Sequence, residues 1–138
     1  MNERRLLTGR LHIDLPADQA FRLFTPLGER EWAEHWAPHF PTATNDDTAP
    51  GTVFQTGATI WVVLDRLTGS HISYARLTPE VTAGTVAVAL ADNGTGADVT
   101  VTYDLTALTD AANDDLRTFA AGYPEFLASW QEAIAALP

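Results

Sequence analysis

Apolar residues recur along this chain with two different periods. Over Arg4–Asp14, Leu7, Leu11 and Ile13, continued by Leu15, alternate with Thr8, Arg10, His12 and Asp14, which predicts a strand with one buried face. The same alternation predicts strands over Thr52–Thr56, Thr59–Asp65, His71–Leu77, Thr82–Leu90 and Ala97–Thr106. Turn residues separate them: Gly57, Thr68-Gly69-Ser70, Pro79 and the run Asp92-Asn93-Gly94-Thr95-Gly96. In the last strand Val99, Val101, Tyr103 and Leu105 fall on the inward face. Asp98, Thr100, Thr102 and Asp104 fall on the other. Such short connections require consecutive strands to pair antiparallel.

Toward the end of the chain the period becomes helical. Leu116, Phe119, Tyr123, Phe126, Leu127, Trp130, Ile134 and Leu137 form an apolar arc about 100° wide. Asn113 is the expected N-cap of this region, with Asp114 and Asp115 in the first turn. Gly122 and Pro124 interrupt it, because proline inside a helix removes a hydrogen bond and clashes with the preceding turn. A break is therefore predicted near Ala121–Tyr123, with the main helix over Pro124–Leu137. A helix this aromatic must lie on a broad apolar surface, and the preceding sheet is the only one. Between the first two strands, Pro16 opens a short helix over Ala17–Phe24 that ends before Pro26. Gly28 opens a second, along which Trp32 and Trp36 stack at i and i+4 until Pro38 ends it. Residues 41–50 read as a surface loop.

Composition narrows the function classes. The 138 residues suit one domain, 1–138. Cysteine is absent, which removes thiolate nucleophiles, zinc–cysteine sites and disulfides. All eight basic residues are arginine, so Schiff-base lysine chemistry and a P-loop lysine are excluded. A net charge of −10 disfavours nucleic acid and anionic membrane surfaces. No apolar run approaches the roughly 20 residues that span a bilayer, and no targeting segment is visible. The expectation is a soluble, cytoplasmic protein without membrane insertion or nucleic-acid partners, its oligomeric state left open.

The order of one strand, two short helices, an antiparallel meander and a long terminal helix resembles the START-like, or SRPBCC, superfamily. That group includes Bet v 1 allergens, polyketide cyclases and aromatases, lipid-transfer domains and Hsp90-activator-type domains. Four stretches are similar to bacterial members: Trp32-Ala-Glu-His-Trp36-Ala-Pro38, Gly51-Thr-Val-Phe54, Val99-Thr-Val-Thr-Tyr103 and Phe126-Leu-Ala-Ser-Trp130. The resemblance implies an α+β helix-grip fold with a curved sheet of about seven strands, the missing one lying within His39–Thr44. It implies a shared cavity but no shared catalytic motif.

Three functional readings follow. The first is binding of a small apolar or amphipathic molecule between the sheet and the terminal helix, with no cofactor. The second is a cyclase-, aromatase- or dehydratase-like enzyme using the same cavity. The third is an interaction module of the Hsp90-activator type. Trp36 and Trp61 are the tryptophans expected to meet a ligand, and Trp130 is expected to hold the helix to the sheet. Tyr103, Tyr123 and Phe126 complete the expected apolar lining. Tyr74 and Arg76 share a strand face with Ile72. If that face is inward, Arg76 would fix an anionic or carbonyl group; if Ser73, Ala75 and Leu77 are inward, it is a surface residue. His39 and Tyr74 are the catalytic candidates, with His35 and Glu34 as further acid–base groups. Glu31, His35 and His39 stand at i, i+4 and i+8, but Pro38 breaks that helical face, so no metal site is expected. The Gly94-Thr95-Gly96 run joins two strands and reads as a hairpin turn, because no helix follows to cradle a phosphate.

Overall fold

The computed structural model describes residues Met1–Pro138. Six strands form one antiparallel sheet: β1 (Arg4–Ile13), β2 (Val53–Thr56), β3 (Thr59–Leu67), β4 (His71–Thr78), β5 (Thr82–Asp92) and β6 (Ala97–Ala107). Their order is β1-β6-β5-β4-β3-β2, so the meander runs in sequence and β1 closes on the last strand. The alternation of β6 is complete. Val99, Val101, Tyr103 and Leu105 are buried, and their neighbours Asp98, Thr100, Thr102 and Asp104 are less so. A register shift between Val63 and Asp65 bulges β3 and bends its end. The expected seventh strand shrinks to a single bridge, in which His39 and Gln55 exchange backbone hydrogen bonds of 2.8 Å.

The connection after β1 is tighter than the pattern predicts. A four-residue α1 (Ala17–Ala20) passes into a 3₁₀ turn over Phe21–Phe24, and a second 3₁₀ turn covers only Gly28–Glu31. The expected helix carrying both Trp32 and Trp36 does not form. His35 takes a left-handed backbone with φ 60°, which ends any helical continuation. Each indole instead binds its own carbonyl: Trp32 Nε1 donates to Leu23 O at 2.7 Å and Trp36 Nε1 to Pro26 O at 2.7 Å. The two rings then join different aromatic groups, Trp32 with Phe24 and Trp130, Trp36 with Phe54 and Trp61.

The terminal region breaks at Gly122 into α2 (Asp110–Ala121) and α3 (Tyr123–Ala135), two helices of nearly equal length. Thr109, not Asn113, is the N-cap. Its Oγ1 accepts from Ala112 N at 3.3 Å and donates to Glu80 O at 2.9 Å, so the helix starts a turn earlier. Asn113 Oδ1 accepts from Glu3 N at 2.8 Å, tying α2 to the start of β1. Pro124 stands in the first turn of α3, where a missing N–H costs nothing. Neither helix is long and apolar enough to cross a membrane.

Candidate functional site

Helix α3 packs mainly on β1, at one edge of the sheet, and α2 on β6. Gly9 permits this approach, since a Cβ there would lie 2.5 Å from Leu127 Cδ1. The inner face of β3–β5 is left uncovered by the helix. Between that face, α3 and the Glu29–Trp36 segment lies a cavity of about 890 Å³. Thirteen of its 18 lining residues are hydrophobic, which suits an apolar occupant, and all four tryptophans are among them.

The aromatic side chains form two groups. Trp36, Phe54, Trp61 and Tyr74 pack at one end, with Phe54 and Trp61 stacked at 5.8 Å. Phe24, Trp32, Tyr103, Phe119, Phe126 and Trp130 pack at the other. Arg76 joins them. Its guanidinium carbon lies 5.1 Å from the Trp61 ring centre and 6.0 Å from that of Tyr103, within cation–π range. The strand face left open by the sequence is therefore settled: Ile72 and Tyr74 are buried, and Arg76 lines the cavity beside them.

Most polar atoms on these aromatic walls are already satisfied. Trp61 Nε1 donates to Thr56 Oγ1 at 2.8 Å, Tyr74 OH to Phe24 O at 2.7 Å, and Ser129 Oγ to Phe126 O at 2.6 Å. The exceptions are informative. Arg76 forms no ion pair, and its Nε is buried without any hydrogen-bond partner. An unpaired buried donor costs about 1–3 kcal/mol, more when charged. Burial lowers the Arg76 pKa, an effect opposed by Tyr103, but arginine remains a cation at any ordinary pH. Glu29 also lines the cavity without a side-chain hydrogen bond, and burial pushes its carboxyl well above the ordinary carboxylate range. Desolvation likewise raises the Tyr74 and Tyr103 phenols, so both are neutral. Exposed Glu34 and Glu132 complete the polar lining.

The structure thus brings Trp36, Trp61, Tyr74, Arg76, Tyr103 and Phe126 to one cavity. It places two other candidates elsewhere. Tyr123 is only 4 % exposed, lies outside the lining, and donates to Val101 O at 2.7 Å. His39 is exposed, pairs through its backbone with Gln55, and does not reach the cavity. The exposed His35 is absent from the wall as well. Trp130, expected only to hold the fold, does line the cavity, between Trp32 and Phe126. Glu29 escapes sequence reading because an acid in a helical first turn is the ordinary surface pattern. No local signal marks it.

Neither a family model nor a curated protein sequence matches this chain. Solved structures do. An uncharacterised protein from Rhizobium leguminosarum superposes with a TM-score of 0.71 at 17 % identity, over 98 % of this chain and 97 % of that one. CalU16 from Micromonospora echinospora gives 0.65 at 15 % identity, over 99 % and 87 %. DynU16, a protein of the dynemicin biosynthetic locus, gives 0.64 at 13 %; 95 % of this chain matches 47 % of DynU16, about half its length. At these identities the similarity establishes a shared helix-grip fold. The resemblance of the four sequence stretches stands at that level.

Proposed function

We propose that the protein binds a small, largely apolar molecule in the cavity between its sheet and terminal helices. One observation carries the reading: about 890 Å³ of aromatic-walled space inside a chain of 138 residues. Ligand cavities commonly span about 300–1,000 Å³ with mostly apolar walls and few polar groups. A surface-acting interaction module has no need of such a space, and a side-chain-filled interior would be more stable. The indole N–H groups of Trp32, Trp36 and Trp61 are turned back to the chain, which leaves ring surface toward the occupant. Native mass spectrometry of freshly purified protein tests this. A co-purified small molecule, released on denaturation, is expected. A clean apo mass, with no binding of the neutral probe N-phenyl-1-naphthylamine, counts against the reading.

A second reading, in which the occupant also reacts, is supported by Glu29. A carboxyl whose pKa is raised by burial keeps its proton to higher pH than an ordinary carboxylate, and such a group can donate a proton to a carbonyl or a leaving hydroxyl. Cyclase- or dehydratase-like chemistry would draw on such a group, and the dynemicin-locus neighbour fits that direction at the level of fold. The distinguishing result is turnover of a bound molecule that is lost in Glu29→Gln while binding persists.

A further inference from the structure

Within that ligand-binding reading, we propose that the occupant is a planar molecule bearing a single carboxylate, which Arg76 receives. The cavity has one fixed cation, and nothing in the chain neutralises it. Trp61 and Tyr103 lie against the guanidinium at 5.1 and 6.0 Å to their ring centres, and Nε is left with no acceptor. A guanidinium stacked on aromatic rings offers its edge N–H groups as an in-plane fork, the geometry that matches a carboxylate. The Tyr103 hydroxyl, neutral and without a hydrogen bond in the chain, is a second donor beside it.

Two features limit the charge of the occupant. Glu34 and Glu132, both exposed on the same wall, repel a ligand with several negative charges. The net charge of −10 acts in the same direction. Glu29 does not cancel Arg76, since it makes neither a hydrogen bond nor an ion pair with the guanidinium, whose Nε has no partner; burial in addition raises the Glu29 pKa. Phosphate esters and nucleotides are therefore disfavoured, and a neutral carbonyl could accept from the guanidinium but would leave its charge uncompensated. A planar body follows from the flat ring surfaces of Trp61, Trp130 and Phe126 around the same space.

Calorimetric titration with a matched pair, 1-pyrenecarboxylate and 1-pyrenecarboxamide, tests this. Wild-type protein is expected to bind the acid about tenfold or more tighter than the amide, the factor one charge-assisted hydrogen bond supplies. Arg76→Gln should bring the acid down to the affinity of the amide and leave the amide unchanged. Tyr103→Phe should lower the acid alone by a smaller factor, and it serves as the second variant if Arg76→Gln does not fold. Equal wild-type affinities, or a preference that survives Arg76→Gln, overturn the carboxylate assignment and leave the ligand-binding reading standing. Failure of both probes to bind also overturns the assignment. A co-purified molecule in the native mass spectrum would then still separate that failure from failure of the underlying reading.

Discussion

Gly9 and Leu127 meet where α3 packs on β1, and a substitution there should change sign with its background. A Cβ on Gly9 would sit 2.5 Å from Leu127 Cδ1, about 1 Å inside the 3.4 Å where ordinary contact begins, and 3.4 Å from Tyr123 Cε2. Leu127 is 2 % exposed, so its methyl has little room to retreat. Overpacking of this kind costs about 1–3 kcal/mol. Against it stands the lower unfolded-state entropy of alanine in a strand, which favours the variant by about 0.5–1 kcal/mol. The clash wins, and Gly9→Ala should destabilise the wild type by about 1 kcal/mol. Leu127→Ala alone should cost about 2–5 kcal/mol through the cavity it leaves. In that background the clashing methyl is gone, so Gly9→Ala should stabilise by about 0.5 kcal/mol. Urea unfolding of the four proteins, followed by circular dichroism with a common m-value, gives the coupling. A Gly9→Ala effect of the same sign and size in both backgrounds refutes the contact.

Three further outcomes follow from the packing and the buried groups. Gly84→Ala would put a Cβ 1.8 Å from the Asp104 carbonyl oxygen, and rigid backbone cannot yield as a side chain can. Its cost should reach or exceed the top of the roughly 1–3 kcal/mol overpacking range, read from the urea midpoint. Tyr74→Phe leaves the buried Phe24 carbonyl without its 2.7 Å donor and should cost about 1–3 kcal/mol; unchanged stability with lost ligand binding would instead make the hydroxyl a binding group. Glu29 has a folded pKa raised above its ordinary 4.5, so the folded state holds its proton longer. Stability should fall as pH climbs from about 4.5 to the raised value and level off above it. Glu29→Gln should flatten that slope in pH-dependent unfolding, and an unchanged slope would contradict the burial of the carboxyl.

Sequence patterning carried the sheet almost whole, because each strand announces itself through alternation and each turn through glycine, proline or aspartate. β6 is the clearest case. Features that depend on which distant group satisfies a polar atom were not legible. Trp32 and Trp36 have helical spacing, yet the Leu23 and Pro26 carbonyls draw their indoles apart. Asn113 has the chemistry of a cap, but Thr109 is also held by Glu80 across the fold and fixes the helix start. The terminal aromatics read as a gripping stripe from their spacing, but their roles depend on where α3 lands. Because it lands on β1, Tyr123 turns to Val101 while Trp130 faces the cavity. Arg76 could be named from its strand position, whereas its lack of a partner depends on everything around it.

The central claim, that an occupant sits among the tryptophans inside the sheet, is tested most directly by nuclear magnetic resonance. All four tryptophans line the cavity, so each indole N–H signal, although three of them bond back to the chain, responds to the ring current of an aromatic occupant. Titration of 15N-labelled protein with 1-pyrenecarboxylate should shift the indole signals of Trp61 and Trp130 and the backbone amides around Arg76. The amides of Arg4, Leu6 and Thr8, on the edge strand β1 and outside the cavity lining, should stay in place. Stationary indole signals, or shifts confined to those β1 amides, would contradict it.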